Sequence, residues 1–297
     1  LANKRNIILG IVIGGFVFLF LVFFTIGMID MMSSDGEGWS GFGDKIAIVE
    51  IKGQILGSED IVSQLRRFAR NSSVKGILVR INSPGGIVAP SQEIYDEVVR
   101  IRDEWEKPVV VSMGTVSASG GYYIACGGDY IFANPGTLTG SIGVILQYPV
   151  VKDLMDKVGV QFKTIKSGQI KDVGSPYKWP SEEDSIMLQA AIDDSYEQFV
   201  DVIVRERSLG HEEVLKMADG SIFTGRQAFR LGLVDSLGGM EDAISYLAEL
   251  AGFRGEPRRL YPKEKKEVTL FDLLGSLAGE YLDPAEAGGP ELMYLYR

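Results

Sequence analysis

A hydroxyl followed at once by two glycines opens a stretch with chemical potential, Ser117-Ala118-Ser119-Gly120-Gly121-Tyr122-Tyr123-Ile124-Ala125-Cys126. The apolar run after the glycines is long enough for about two helical turns. Ser119 is the residue here that could act as a nucleophile. Gly120 and Gly121 would let the backbone approach a ligand closely, and the start of a helix leaves amide N–H groups unpaired, so negative charge developing beside Ser119 would be stabilised. That is half of an oxyanion hole. The competing reading is that Ser117 or Ser119 only caps the helix while the glycines pack against a neighbour.

A serine nucleophile needs a base, and histidine is the usual one. The chain has a single histidine, His211, which lies between Ser208-Leu209-Gly210 and Glu212-Glu213 and reads as an exposed helix start rather than a triad member. One histidine and one cysteine cannot complete a zinc set of the usual type. Cys126 can form no intrachain disulfide and, within an apolar run, reads as a core thiol. No carboxylate sits in the glycine-rich breaks, which leaves lysine. A lysine in water has a pKa near 10.4, so only about one in a thousand is neutral at pH 7, and an apolar setting must lower that before it can accept a proton. Lys171, between Ile170 and Gly174-Ser175-Pro176, is one such candidate, and Lys166, at the end of an expected strand, is another. Residue types and spacing leave both open.

The elements that must position these groups alternate between strand and helix. Lys45–Ile51 is strand-like, Gly53–Gly57 a turn, and a helix runs from Ser58 to about Arg70 with Ile61, Leu65 and Phe68 on one side. Val74–Ile81 reads as a buried strand, Asn82-Ser83-Pro84-Gly85-Gly86 as a sharp break, Val88–Trp105 as a helix and Pro108–Ser112 as a third strand. The pattern predicts an α/β domain with parallel crossovers, whose functional loops lie at the carboxyl ends of the strands. Gly85-Gly86 and Gly120-Gly121 fall at two such ends. Further on, Asp129–Ala133 reads as a strand, Val151–Val158 as a helix, Gln161–Lys166 as a strand and Ser167–Pro176 as a loop. A long capped helix from Ser181 to about Arg207 follows, then helices over His211–Met217, Gly225–Leu231 and Glu241–Ala251.

The chain has 297 residues, 45% hydrophobic and 24% charged, enough for one domain with an ordinary core. A net charge of -10 argues against nucleic acid as a partner. Residues Ile7 to Ile29 form an uncharged apolar run of about 23 residues, long enough to span a bilayer and without a convincing small-x-small cleavage site at its end. With Lys4 and Arg5 before the run and Asp30, Asp35 and Glu37 after it, the N-terminus is expected in the cytoplasm and the rest outside the inner membrane. The expected organisation is a stub and transmembrane anchor over 1–32, a linker over 33–44, a folded domain over 45–252 and a looser tail over 253–297. The apolar end of that tail, Leu292 to Tyr296, is expected to dock in a groove.

From Lys45 to Ala251 the chain resembles the short form of the SppA signal peptide peptidase family, peptidase family S49. Asn82-Ser83-Pro84-Gly85-Gly86, Ser117-Ala118-Ser119-Gly120-Gly121-Tyr122-Tyr123, Thr139-Gly140-Ser141-Ile142-Gly143-Val144, Ser167-Gly168 through Lys171-Asp172 and Gly174-Ser175-Pro176 follow the family's pattern in order and approximate spacing. The resemblance implies a ClpP/crotonase-like fold built as a superhelix of repeated β-β-α units. It implies Ser119 as nucleophile, Lys171 as general base, the amides of Gly86 and Gly120 as oxyanion donors and Ser141 as the hydroxyl that orients the lysine. It implies no metal and no cofactor, a membrane-tethered serine endopeptidase that degrades remnant signal peptides, and assembly into a homo-oligomeric ring in which Ser119 of one subunit meets Lys171 of the next. An idle membrane scaffold of the same fold and an acyl-CoA hydratase-like enzyme are the rival expectations.

Overall fold

The computed structural model describes residues 43–262, together with Phe20 and Phe24. The rest of the expected anchor, most of the linker and the apolar tail end lie outside the described residues. Among the described residues no helix is long and apolar enough to cross a membrane.

Three parallel strands form the centre. β1 (Lys45–Lys52), β2 (Val74–Ser83) and β3 (Val109–Ala118) lie side by side with Val49 opposite Val79 and Val79 opposite Val111. Their connections are α1 (Glu59–Arg70) and α2 (Val88–Asp103). Because side chains alternate along a strand, Val49, Val79 and Val111 face one side, where Leu65 and Phe68 of α1 and Ile94, Val98 and Ile101 of α2 cover them. Ile48, Leu78 and Val110 face the other, against Ala243, Ile244 and Leu247 of a later helix. Burial on both faces is why these strands read as continuous apolar runs.

β3 is long enough to serve two sets of neighbours. Its first half pairs in parallel with β4 (Tyr130–Ala133), and its last residues pair with β5 (Leu138–Gly140). The turn between β4 and β5 is fastened to the middle of β3: the Thr137 hydroxyl donates to the Gly114 carbonyl at 2.7 Å and the Thr137 N–H to the Asn134 carbonyl at 3.0 Å. This step along the strand delivers Gly140 opposite Ala118, next to Ser119.

After β5 the chain makes an exposed arm that contains only α4 (Lys152–Lys157) before α5 (Glu182–Arg207) begins. The expected strand over Gln161–Lys166 does not form. Its alternating apolar residues are exposed, and among the described residues no strand pairs with them to take up their backbone hydrogen bonds. The expected long helix does form, closed by a capping box in which the Ser181 hydroxyl accepts from the Asp184 N–H and the Asp184 carboxylate accepts from the Ser181 N–H, both at 3.1 Å. The remaining elements are α6 (His211–Leu215), β6 (Ile222–Thr224), α7 (Gly225–Arg230), β7 (Ser236–Leu237), α8 (Met240–Leu250) and β8 (Arg258–Leu260). β6 runs antiparallel to β5, β7 extends the sheet beyond β4, and β8 pairs with β1. The compact body therefore continues past the Gly252 boundary expected from the sequence.

Candidate active site

Ser119 occupies the corner between β3 and α3 (Gly120–Ala125), with φ 52° and ψ −122°. A residue with a Cβ rarely adopts this conformation, and holding it there stores strain of the kind that clusters at functional sites. The corner is pinned from both sides. Its N–H donates to the Gly140 carbonyl at 2.8 Å, and its carbonyl accepts from Tyr123 at 2.9 Å. Beneath it, the buried Tyr122 donates its hydroxyl to the Leu233 carbonyl at 2.9 Å and anchors α3. Ala118 and Gly121 are buried while Ser119 between them is half-buried, so the sharp turn brings the serine out of the core.

The Gly85-Gly86 loop packs backbone to backbone against this corner. Gly85 has φ +105°, and a Cβ there would lie 2.8 Å from both the Gly120 nitrogen and the Ser119 Cβ. A Cβ on Gly120 would stand 3.4 Å from the Gly86 nitrogen and 2.5 Å from the Ser91 hydroxyl. Side chains at these positions would push the two loops apart. Ile55 holds the Gly86 loop through a short parallel bridge, donating to the Gly85 carbonyl at 2.9 Å and accepting from Ile87 at 2.8 Å. Ser83, wholly buried, accepts from the Gly85 N–H at 3.1 Å. Among the described residues the amides of Gly86 and Gly120 find no acceptor. Gly86 is exposed and Gly120 half-buried, so both amides are open to a ligand, and two unpaired donors this close together beside a serine form a ready site for a developing oxyanion. The 16-residue α2 also starts just after Gly86 and adds the positive end of its dipole.

Ser141 follows β5 directly and also has positive φ, 49°. Its N–H donates to the Ser221 carbonyl at 2.8 Å, and the β3–β5 register sets it alongside Ser119. Lys171 belongs to the arm between β5 and α5. It is exposed there, its N–H donating to the Gly168 carbonyl at 3.2 Å, and among the described residues no hydrogen bond or ion pair joins its ammonium to Ser119 or Ser141. The structure thus gathers Ser119, Gly86, Gly120 and Ser141 without a bond from them to the lysine.

Lys166 is engaged differently from Lys171. Its ammonium pairs with Asp172 at 2.6 Å and donates to the Gln169 carbonyl, while Lys178 pairs with Asp172 at 2.8 Å and with Asp184 at 2.6 Å. The two lysines hold the Asp172 carboxyl down to about 2. His211 is exposed at the start of α6, 3.5 Å from Glu197, and among the described residues no hydrogen bond or ion pair joins it to the Ser119 cluster. Cys126 is buried, and burial pushes its thiol up to about 12, which keeps it protonated and unreactive.

The supporting residues Ile55, Ser83 and Ser91 were not singled out from the sequence. Ser83 had a usable signal, because a serine two residues before a glycine in a sharp break is a common side-chain-to-backbone turn former. Ile55 and Ser91 reach the site only through tertiary packing.

The sequence model described as "Peptidase family S49" matches residues 102–254, and that described as "Clp protease" matches residues 45–137. The latter fits the mixed α/β sheet. A candidate protease of Synechocystis sp. is 48% identical over 270 residues, covering 85% of this chain and 96% of its own length. A candidate signal peptide peptidase SppA of Enterococcus faecium is 40% identical over 189 residues, 64% of this chain and 55% of the relative. A candidate protease of Methanocaldococcus jannaschii is 37% identical over 237 residues, 74% of this chain and 76% of the relative.

Proposed function

This chain belongs to peptidase family S49, and on that premise we propose that it is a membrane-anchored serine endopeptidase that uses Ser119 as nucleophile and Lys171 as general base. The observation that carries the reading is the strained Ser119 corner with the unpaired amides of Gly86 and Gly120 beside it. Uncharged Lys171 takes the Ser119 hydroxyl proton as Oγ attacks a peptide carbonyl carbon. The carbonyl oxygen becomes an oxyanion and accepts from the two glycine amides. The C–N bond then breaks, the Lys171 ammonium returns its proton to the leaving amine, and the acyl group stays on Oγ. Water, giving a proton to Lys171, attacks the ester and frees the new carboxyl end, with the proton passing back to Ser119. Ser141, next to Ser119, is assigned to orient the lysine.

Ser119 and Lys171 are not bonded to each other within one chain, and the family resemblance implies a shared site, so we assign the lysine of each site to a neighbouring subunit of a ring. The arm that bears Lys171 supports this: Ile145 is 81% exposed, Ile165 91% and Trp179 61%, apolar surface suited to cover by a second copy. The substrates in this reading are remnant signal peptides, in line with the name of the Enterococcus faecium relative, a signal peptide peptidase. A catalytic domain tethered by residues 7–29 on the extracytoplasmic face of the inner membrane would meet them where they are left. A fluorophosphonate or lipopeptide aldehyde probe tests the core of the proposal. The full chain in detergent should be labelled and should cleave signal-peptide substrates, and Ser119→Ala should lose both. Absence of labelling in the wild-type protein favours an idle scaffold.

A further inference from the structure

The only histidine of the chain stands beside two carboxylates on a surface that the peptidase site does not use. Glu197 and Asp201 are four residues apart on α5, so both leave the same face of the helix. The helix is fixed there by Phe199, Val200, Val202 and Ile203, all buried, and its Glu197–Asp201 side faces water. Ser208, with φ 53°, ends α5 in a left-handed turn, and three residues later His211 opens α6. One ligand atom from each of Glu197, Asp201 and His211 lies within 4.8 Å of the others, and His211 Nε2 is 3.5 Å from Glu197 Oε2.

We propose that Glu197, Asp201 and His211 bind one divalent transition-metal cation of the zinc type, with water completing its coordination. In a tetrahedral zinc shell with bonds of about 2.0–2.2 Å, neighbouring ligand atoms are about 3.3–3.6 Å apart. The histidine–glutamate pair already has that spacing, and rotation of the exposed side chains brings in Asp201. An imidazole nitrogen with two carboxylates suits zinc or its neighbours rather than calcium or magnesium, which prefer oxygen ligands throughout. The cation would clip α6 onto α5. α6 leads into the segment where the Gly220 N–H donates to the Ile142 carbonyl at 3.1 Å and the Ser221 carbonyl accepts from Ser141 at 2.8 Å. The role is structural, steadying the segment behind Ser141.

The test uses untagged full-length protein in detergent, stripped with a chelator and titrated with Zn²⁺ by calorimetry and thermal unfolding. One zinc per chain is expected, with a rise in Tm of a few degrees at saturation, and no rise with Mg²⁺ at equal concentration. His211→Ala and Glu197→Gln should each weaken Zn²⁺ binding at least about ten-fold. Their metal-free Tm should stay close to wild type, because the residues are exposed. Ser119→Ala protein should bind zinc normally, which separates this proposal from the peptidase reading. No saturable binding, or binding equally strong in His211→Ala and Glu197→Gln, would overturn it and leave the His211–Glu197 contact as a surface ion pair.

Discussion

Ser119 holds a backbone conformation that glycine enters freely and serine does not. If the strain is there to present the hydroxyl, removing the side chain should relieve it while ending catalysis. Ser119→Gly is therefore expected to be inactive yet more stable than Ser119→Ala, by on the order of 1 kcal/mol. Paired thermal melts and peptide hydrolysis check this, and a glycine variant that melts at or below the alanine variant would show that position 119 carries no strain. The two lysines make a second comparison at this scale. Lys171→Arg should abolish activity, because a guanidinium stays protonated at any usable pH, whereas Lys166→Arg should have a mild effect. Equal losses of activity in both variants would remove Lys171 from the mechanism. Ser119 and the glycines were legible in the sequence because their types alone imply a tight backbone approach. The choice of Lys171 over Lys166 was not legible in spacing and rests on the family resemblance, since nothing in the letters says which way a loop lysine turns.

Local sequence did best where an element satisfies itself. The capping box of α5 and the buried runs of β1, β2 and β3 show in the letters because hydrogen bonds and burial patterns repeat along them. β5, β6, β7 and β8 are two or three residues each, too short for a period, and exist because a neighbouring strand offers an edge. The reverse error at Gln161–Lys166 has the same cause: the alternation is present but the edge is missing. The loop that supplies the Gly86 amide depends on such a neighbour. A Cβ on Gly86 would lie 2.0 Å from the Ile55 carbonyl oxygen, a backbone atom that cannot swing aside. Gly86→Ala should thus cost roughly 1–3 kcal/mol of stability and at the same time displace the proposed oxyanion donor, lowering kcat. Gly136, with no atom within 4 Å of a Cβ, is the control, and Gly136→Ala should change neither. A Gly86→Ala enzyme with wild-type kcat would mean that its amide does not touch the transition state.

At the scale of the molecule, the proposed sharing of the site has consequences for assembly. If Ser119 of one chain meets Lys171 of the next, the contact is head-to-tail, and it closes into a ring when the rotation between subunits closes. Each site in such a ring takes its serine from one chain and its lysine from the next, so the isolated chain should be inactive. Ser119→Ala retains a good lysine and Lys171→Ala a good serine. Either alone should be dead, but in a randomly mixed ring about one interface in four joins an intact serine to an intact lysine, and co-expressed chains should recover roughly a quarter of wild-type activity per site. Active-site labelling should then fall on the Lys171→Ala chain alone, because only that chain keeps its serine. Mixed rings verified by mass and still inactive would mean that the base comes from the same chain, and the arm would then have to fold inward in the working enzyme instead of reaching a neighbour.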